Sequence, residues 1–365
     1  MQFVHIGDNH LGYRQYNLDD REKDIYDSFN ECIEKILEIR PDFVVHSGDL
    51  FENSRPQIKA LSTAIRGFSR LKENGIPVYI VLGNHDLPKR KFQETPLVLL
   101  GEYIKTFVKR EFHIHEGVFI GGINYHSKIG KENLIKKLKT LENASKEYRK
   151  KILIMHQGIN PYVPDYELEK SELPEFSYYA MGHIHNRIID NLENGGVLAY
   201  SGSTEIIRRD EYKDYEKNGK GFYVVDMSGD FDKNDVDFIR VENINIKCRD
   251  FFEIFIDSEE KFKEFINNLS NASKPIVHGV VKREFGKILD VLKDKTLWYN
   301  IRVVDDEEIE YDIPEYSSIE KLFVEYVKNK GLDADFVLNL HNRLINNEGY
   351  VEFVEEYYSK FCTKF

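Results

Sequence analysis

Cysteine is scarce in this sequence: among 365 residues only Cys32, Cys248 and Cys362 occur. Their separation matches no zinc-binding or redox spacing, and an odd number without a disulfide framework fits a reducing compartment. Long apolar runs are also missing, since none approaches the ~18 residues needed to span a bilayer. Residues 1–6 already have the pattern of a strand rather than of a signal peptide, so we expect a cytoplasmic protein.

An excess of positive charge, a common mark of nucleic-acid-binding proteins, is missing too. The formal net charge is −12, with 51 Lys and Arg against 63 Asp and Glu. The deficit is uneven, because residues 234–365 hold 18 basic and 27 acidic residues whereas residues 1–233 hold 33 and 36. Two divalent cations would make the first region slightly positive, so the overall acidity does not exclude DNA.

Short apolar runs alternate with helical patterns through the first two-thirds of the chain. In residues 25–39 and 57–72, apolar residues recur at three and four positions, which predicts helices. The apolar runs predict strands buried on both faces. They span residues 3–6, 43–46, 78–82, 152–155, 178–181 and 197–200, with a last strand at 219–226. We therefore predict a layered α/β domain over residues 1–233, a β-sandwich with helices on both faces.

The remaining sequence predicts two smaller units. Four strand-like runs and one helical pattern indicate a small α+β domain over residues 234–312. The runs are 238–241, 251–257, 276–282 and 299–304, and the helix is 259–269. Residues 313–365 carry three helical patterns with apolar faces. These helices either cap the protein or dock a partner, and their amphipathicity supports both interpretations.

Five polar clusters follow five of the predicted strands. Asp, Asn and His supply the oxygen and nitrogen atoms that bind pairs of divalent cations. Because ligands gather beyond the carboxyl ends of strands in α/β sheets, we expect these clusters to lie together. One such cluster is usually structural, and His5 and His46 inside their strands belong to the core, but five clusters at strand ends argue for a site. The candidate ligands are Asp8, His10, Asp49, Asn84, His156, His183 and His185, with His85 beside them.

This donor set favours a pair of catalytic cations. Four histidines without a thiolate suit manganese, iron or zinc better than magnesium, which prefers oxygen ligands. Structural zinc favours cysteine ligands and a closed coordination shell. With one carboxylate shared, each ion receives four protein ligands and keeps open positions for water and phosphate. The sequence thus predicts a two-metal phosphoesterase.

The order of the clusters resembles that of the calcineurin-like metallophosphoesterases: Asp-X-His, Gly-Asp, Gly-Asn-His-Asp, a lone His and Gly-His-X-His. The surrounding segments resemble more closely the SbcD-like nuclease subunits of archaeal DNA double-strand-break repair complexes. These segments are residues 5–14, 47–51, 83–86, 155–158 and 200–205. The two smaller units agree with that family in order and size only.

The resemblance implies a role for each candidate residue. One Mn²⁺ would be held by Asp8, His10 and His185, the other by Asn84, His156 and His183, with Asp49 bridging both. His85 would protonate the leaving oxygen or stabilise the transition state. The family often has His directly after its Gly-Asp-Leu-Phe motif, whereas this chain has Glu52. A carboxylate there would repel DNA phosphates, unlike the family's His.

Candidate DNA contacts are basic residues in loops beside or facing the clusters. Such residues bind phosphates without reading sequence. They are Arg55, Lys89, Arg90, Lys91, Arg208, Arg209 and Lys220. The lysines between residues 128 and 151 lie mostly on a predicted helix and are explained equally well by a solvated face.

By the same resemblance, the chain would be a DNA nuclease that works with a partner. Apolar helices at residues 57–72 and 95–108 would form a homodimer, residues 234–312 would cap the DNA cleft, and the tail would dock an SMC-like coiled-coil ATPase. The implied activity is 3′–5′ exonuclease and single-strand or hairpin endonuclease cleavage at double-strand breaks. The alternatives are a general metallophosphoesterase acting on nucleotides or phosphoproteins, and a non-catalytic DNA-end tether. The second domain and the tail favour the nuclease, because a small-molecule phosphatase needs neither.

Overall fold

The computed structural model describes residues 1–90, 92–229 and 239–305, together with Phe336. Contacts group residues 1–281 and 285–302 into one unit, and residues 282–284 and 303–365 into another. In the second unit, the Arg283 guanidinium pairs with the Asp305 carboxylate. The helices predicted for residues 313–365, apart from Phe336, lie outside the described residues, as does Lys91.

Strands and helices alternate along the chain. In the described residues the helices are α1 (Asp19–Ile39), α2 (Ile58–Glu73), α3 (Lys131–Ala144), α4 (Tyr212–Asn218), α5 (Glu259–Asn271) and α6 (Ile288–Lys295). The strands are β1 (Gln2–Ile6), β2 (Phe43–His46), β3 (Val78–Ile80), β4 (Ile104–Thr106), β5 (Phe112–His115), β6 (Val118–Ile123), β7 (Lys151–His156), β8 (Ile159–Asn160), β9 (Leu168–Glu169), β10 (Tyr178–Gly182), β11 (Ile188–Asn191), β12 (Val197–Tyr200), β13 (Gly221–Asp226), β14 (Arg240–Asn245), β15 (Phe251–Ile256), β16 (Ile276–Lys282) and β17 (Trp298–Val304). None of these described helices is long and apolar enough to cross a membrane.

Two six-stranded sheets form within the described part of the chain. The first has the strand order β14-β13-β1-β2-β3-β4, and the second has the order β11-β12-β10-β7-β6-β5. In the first sheet, β1, β2, β3 and β4 are parallel neighbours. In the second sheet, β6, β7, β10 and β12 are parallel neighbours. β15, β16 and β17 form a separate three-stranded sheet, and β8 pairs with β9. Because parallel neighbours run in the same direction, the carboxyl ends of the central strands of each sheet lie side by side.

The two large sheets pack face to face through an apolar core. Phe3 and Phe43 of the first sheet stack with ring centroids 5.1 Å apart, and Tyr178 of the second sheet meets Phe3 edge-on at 5.3 Å. Ile152 and Ile154 are fully buried in the same cluster. α1 and α2 cover the outer face of the first sheet, and α3 covers the outer face of the second. The predicted sandwich with helices on both faces is therefore confirmed.

α1 and α2 pack closely because a glycine lies at their contact. A Cβ atom on Gly67 of α2 would lie 2.6 Å from Cε1 of Phe29 in α1. α1 begins earlier than residue 25, and Asp19 and Asp20 in its first turn interact favourably with the helix dipole. It ends where Arg40 adopts a left-handed conformation with φ 53°.

Residues 95–108 do not form a continuous helix, and that prediction is wrong. Thr95 caps a short 3-10 helix at Pro96–Leu100, which Gly101 follows. The chain then forms β4, which pairs in parallel with β3. The β-branched Ile104 and Thr106 favour this extended conformation over a helix.

The small α+β domain has its own core. Val277 of β16 packs with Phe265 and Leu269 of α5 and with Leu292 of α6, a helix that the sequence pattern did not predict. β14 instead pairs along its whole length with β13, so it extends the first large sheet. We therefore propose that the first domain boundary lies after Asn245 rather than at residue 233, and the boundary at residue 312 stays a prediction.

An aromatic cluster joins the three-stranded sheet to the sandwich. The rings of Tyr16 and Trp298 stack with centroids 3.8 Å apart. The Tyr16 hydroxyl lies 2.8 Å from Nε2 of His278, whose ring stacks on Phe251. Burial and the nearby Arg209 charge lower the pKa of His278 to about 4. His278 is therefore neutral in the folded protein at neutral pH.

Replacing His278 with phenylalanine is expected to change how stability depends on pH. The unfolded chain protonates His278 near pH 6.5, whereas the folded state resists protonation down to about pH 4. The wild type therefore loses stability as pH falls through this window, and His278→Phe is spared that loss. Urea denaturation at pH 7, 5.5 and 4 should show that the unfolding free energy of the variant, relative to that of the wild type, increases as the pH falls. A difference that is the same at all three pH values would contradict this environment for His278.

Candidate metal centre

The five polar clusters meet at one edge of the sandwich, where the central strands of both sheets end. The first sheet supplies the residues that follow β1, β2 and β3, which are Asp8, His10, Asp49 and Asn84. The second sheet supplies the residues at the ends of β7 and β10, which are His156, His183 and His185. The structure brings these seven predicted ligands into one pocket.

The first group of donors consists of Asp8, His10 and His185. The ligand atoms of these three side chains lie within 4.8 Å of one another. Nε2 of His10 lies 3.2 Å from Nε2 of His185, so the two imidazoles converge on one point. Asp8 and His10 are buried, whereas His185 is half-buried. We call this group subsite A.

The second group consists of Asn84, His156 and His183, and we call it subsite B. The side-chain oxygen of Asn84 lies 3.0 Å from Nε2 of His156 and 3.1 Å from Nδ1 of His183. Asp49 lies between the two groups, because its Oδ2 atom is 3.7 Å from Nε2 of His10 and 3.3 Å from Nε2 of His156. Its carboxylate is therefore placed to serve both subsites.

The backbone at the site is strained. Asp8, His10, Asp49 and His183 adopt φ angles of 50°, 48°, 51° and 92°. Non-glycine residues rarely adopt this left-handed region, although Asp, Asn and His tolerate it best. Such conformations persist when the surroundings fix them, and they concentrate at functional sites. Here the His183 N–H donates to Oδ1 of Asp8 at 3.1 Å, which joins the two sheets at the strained positions.

Glycines let the loops approach. A Cβ atom on Gly83 would collide with the Asp49 carboxylate, and one on Gly182 would collide with the carbonyl of Ser47. Each glycine directly precedes a candidate ligand, Asn84 or His183. The Gly-Asn and Gly-His pairs of the sequence are thus required by the close packing of the loops.

In three of the imidazoles, the Nδ1–H group donates a hydrogen bond to a protein acceptor. Nδ1 of His10 lies 2.9 Å from Oε2 of Glu52, and Nδ1 of His185 lies 2.7 Å from Oε1 of Glu211. Nδ1 of His156 donates to the Ser47 carbonyl at 2.8 Å. These hydrogen bonds fix each tautomer and leave Nε2 free to bind an ion. No sequence signal pointed to Glu211.

In the pocket, negatively charged carboxylates and positively charged imidazoles stabilise one another. Burial disfavours ionisation of Asp49, but His156 and His10 hold the pKa of its carboxyl well below the usual range. Burial likewise opposes the charge on His10 and His156, yet hydrogen bonds and the nearby carboxylates raise the pKa of each to about 9. Burial and the His156 charge lower the pKa of His183 to about 3. An entering cation would replace the protons on His10 and His156.

The donor set fits two divalent cations. It offers two carboxylates, one amide oxygen and four imidazoles, with no thiolate. Ligands of this mixture suit borderline transition metals. Two subsites that share one carboxylate match the requirement of a two-metal hydrolytic centre.

His85 lies at the rim of this pocket rather than inside it. Its ring centroid is 4.8 Å from that of His10, and its side chain is 35% exposed. Nδ1 donates to the Glu52 carbonyl at 2.6 Å, and the backbone N–H donates to Oδ1 of Asp49 at 2.9 Å. Nε2 lies on the opposite side of the ring from this bond. Asp86 supports this loop by accepting hydrogen bonds from the backbone of Gly83 and Phe51.

The basic residues expected to contact DNA differ in their surroundings. Arg208 pairs with Asp210 and is 67% exposed, and Arg209 pairs with Glu253 and is 52% exposed. The other described candidates with exposed side chains are Arg55, Lys89 and Arg90.

Lys220 is the exception, and its assignment as a DNA contact is corrected. The residue is fully buried. Its ammonium donates to Oε2 of Glu211 at 2.6 Å, to the hydroxyl of Ser203 at 2.7 Å and to the His185 carbonyl at 2.8 Å. All three of its protons are used inside the protein. Lys220 thus holds Glu211, and through it His185, in place.

Lys220→Met is expected to destabilise the protein by ~3–5 kcal/mol, because it leaves the Glu211 carboxylate buried without its partner. Arg208→Ala is the matched control, since removing an exposed cation changes stability by about 0.5 kcal/mol or less. Chemical denaturation followed by circular dichroism measures both. If Lys220→Met weakened DNA binding at unchanged stability, the original assignment of Lys220 as a DNA contact would stand.

The class of protein follows from this fold and site together with a family match. The profile of the calcineurin-like phosphoesterase family matches residues 1–187, which include the seven candidate ligands. The sandwich and its pocket define a calcineurin-like metallophosphoesterase with a centre for two metal ions. Residues 319–361 match a second profile, the Mre11 C-terminal Rad50-binding domain.

Similar proteins give the family within this class. Proteins named DNA double-strand break repair protein Mre11 match over nearly the full length. That of Methanocaldococcus jannaschii is 53% identical over 100% of both chains, and that of Methanococcus maripaludis is 44% identical over 98% of this chain and 99% of its own. That of Sulfolobus acidocaldarius is 35% identical over 99% of both chains. Among solved structures, a dimetal phosphatase from Danio rerio has a TM-score of 0.42 at 11% identity, over 62% of this chain and 92% of its own. The chain belongs to the Mre11 family.

Proposed function

We propose that this chain is a metal-dependent nuclease that processes DNA double-strand breaks. The observation that supports this most strongly is the convergence of seven oxygen and nitrogen donors on two adjacent points that share Asp49. The named relatives are DNA double-strand break repair proteins, which favours DNA over nucleotides or phosphoproteins as the substrate. We further propose 3′–5′ exonuclease and single-strand or hairpin endonuclease activity.

The ligand assignment is part of the proposal. Subsite A would hold one Mn²⁺ through Asp8, His10 and His185, subsite B the other through Asn84, His156 and His183, and Asp49 would bridge them. Manganese is proposed because imidazole and carboxylate ligands without thiolate suit it. When bound, two such ions activate a water molecule and stabilise the charge on the phosphate.

His85 is proposed to act on the leaving oxygen. Its Nδ1–H is bound to the Glu52 carbonyl, so the ring is held with Nε2 at the rim of the pocket. A proton on Nε2 can then pass to the departing oxygen as the phosphodiester bond breaks, which is general acid catalysis. The seven ligands would hold the two ions, the ions would hold the phosphate, and His85 would supply the proton.

DNA would be held by exposed basic residues around the pocket, which contact the backbone without reading sequence. We propose Arg55, Lys89, Arg90, Arg208 and Arg209 for this role. Lys220 is left out because it is buried. The small α+β domain would cap the bound duplex.

The tail is proposed to dock a partner ATPase. Residues 319–361 match the Mre11 C-terminal Rad50-binding domain, so the partner is a Rad50 protein, an SMC-like coiled-coil ATPase. The apolar faces predicted for the tail helices would provide the contact. The cytoplasmic location expected from the sequence belongs to the same proposal.

A homodimer is proposed through the surface formed by α2 and the 3-10 segment after it. Ile58 of α2 is 87% exposed, and Val98 and Leu99 are 54% and 62% exposed. Val98 and Leu99 line a groove of about 320 Å³ together with Pro56, Leu61 and neighbouring residues. Exposed apolar patches of this kind mark association sites. The predicted dimer surface is thus kept, although residues 95–108 contribute no long helix.

A charged residue in this surface should separate the dimer. Leu99→Asp buries a carboxylate at a symmetric apolar contact, so the molar mass from light scattering should fall from that of two chains to that of one. Ile129→Asp is the control, because Ile129 is 98% exposed on another segment and the change should leave the mass unaltered. A wild-type protein that is already monomeric at micromolar concentration would refute the dimer.

Variants of the pocket should separate metal binding from proton transfer. Asp49→Ala is expected to lose both Mn²⁺ binding and DNA cleavage, since it removes the shared ligand. His85→Ala should keep Mn²⁺ binding and lower kcat by about 10²-fold or more. EDTA should abolish cleavage by the wild type, and added Mn²⁺ should restore it.

Cleavage is measured on 3′-overhang duplex, hairpin DNA, a nucleotide phosphoester and a phosphopeptide. Preference for the phosphopeptide or the free nucleotide would support the general phosphoesterase. DNA binding without cleavage of any substrate would support the non-catalytic tether. Cleavage that survives Asp49→Ala would indicate a contaminating nuclease.

A further inference from the structure

Glu52 directly follows the Gly-Asp-Leu-Phe motif, and its side chain points towards His10 and His85. One carboxylate oxygen, Oε2, lies 2.9 Å from Nδ1 of His10, and the other, Oε1, lies 3.8 Å from Nδ1 of His85. The side chain is 25% exposed, so most of it is screened from solvent. The expected repulsion of DNA phosphates is therefore reduced by this orientation.

The backbone of Glu52 is fixed as firmly as its side chain. Its N–H donates to the Leu11 carbonyl at 3.1 Å, and the Leu11 N–H donates to the Leu50 carbonyl at 2.9 Å. The loops after β1 and β2 thus run together as a short ladder. The Glu52 carbonyl accepts the Nδ1–H of His85 at 2.6 Å. One residue therefore contacts a candidate ligand through its side chain and the candidate acid through its backbone.

The two subsites differ in what supports their imidazoles. In subsite A, both His10 and His185 donate to carboxylates, Glu52 and Glu211. In subsite B, His156 donates to a backbone carbonyl, that of Ser47. A carboxylate partner makes an imidazole a stronger metal ligand and fixes its orientation, and removing such a partner typically costs 10–100-fold in metal affinity.

We propose that Glu52 is a positioning residue that orients His10 with its carboxylate and thereby strengthens cation binding at subsite A alone. The inference rests on the proposed two-metal function and deepens it, since it assigns a task to a carboxylate outside the seven candidate ligands. Glu211 does the same for His185, but its charge is paired with Lys220 in the interior. Glu52 is the more informative probe because it is partly exposed and because His10 keeps a second carboxylate nearby, that of Asp49 at 3.7 Å, when Glu52 is replaced.

The test is a Mn²⁺ titration of the full-length protein by calorimetry, with electron paramagnetic resonance counting the free ion. Wild type should bind two ions. Glu52→Ala should weaken one of the two binding steps about 10- to 100-fold and leave the other unchanged. The affinity of Glu52→Gln should fall between those of the wild type and Glu52→Ala, because its amide oxygen still accepts the hydrogen bond from His10 but carries no charge. Glu102→Gln is the matched control, an exposed carboxylate paired with Lys72 that should titrate as wild type.

DNA cleavage adds an independent reading. Excess Mn²⁺ should restore the activity of Glu52→Ala, because the ligands remain and only their affinity falls, whereas it should not restore Asp49→Ala. Thermal unfolding monitors the fold of each variant.

Each remaining outcome has a definite meaning. Two unchanged binding steps in Glu52→Ala would overturn the inference. Equal weakening of both steps, together with a lower Tm, would assign Glu52 a merely structural role and overturn it as well. A wild-type protein that binds no Mn²⁺ would instead overturn the proposed two-metal function and this inference with it.

Discussion

The position of the Asp49 carboxylate is the constraint on which the rest of the site depends. One of its oxygens lies between the imidazoles of His10 and His156, and the other accepts the backbone N–H of His85. A carboxylate this deeply buried stays ionised only because neighbouring positive charge offsets the loss of water. The left-handed backbone of Asp49 and the missing side chain of Gly83 both serve to bring it there.

The ligands could be predicted from the sequence because each carries a local signal. Asp49 and His156, for example, end short apolar runs, and parallel strands bring such ends together. Their supporting partners carry no such signal. Glu52 reaches His10 from 42 residues away, and Glu211 reaches His185 from 26 residues away. Contacts of that kind depend on how distant loops pack against each other, which the local sequence pattern does not reveal.

Side-chain burial and the structure at the edges of the sheets were also predicted poorly from the local sequence pattern. Lys220 lies between Gly219 and Gly221 and therefore resembles a loop cation, yet its side chain turns inward. β5 is partly exposed along its length and so lacks the continuous apolar run of a central strand. Residues 95–108 have enough apolar side chains for a helix, but Pro96 and Gly101 limit the helical turn to a few residues. Tertiary packing decided the outcome for Lys220 and β5, whereas residues 95–108 contain local signals against a long helix.

The division of the sandwich into two separate sheets has a consequence for catalysis. Among the described strands, no ladder of backbone hydrogen bonds links the first sheet to the second. The donors of each subsite nevertheless come from both sheets. Their alignment is therefore set largely by the apolar contact beneath, where Phe3, stacked on Phe43, meets Tyr178. A change in that contact that slid one sheet along the other by an ångström would misalign the donors of one sheet with those of the other in both subsites, without altering any donor residue. The relative positions of the polar donors at the edge of the sandwich thus depend on how the aromatic rings pack in the interior.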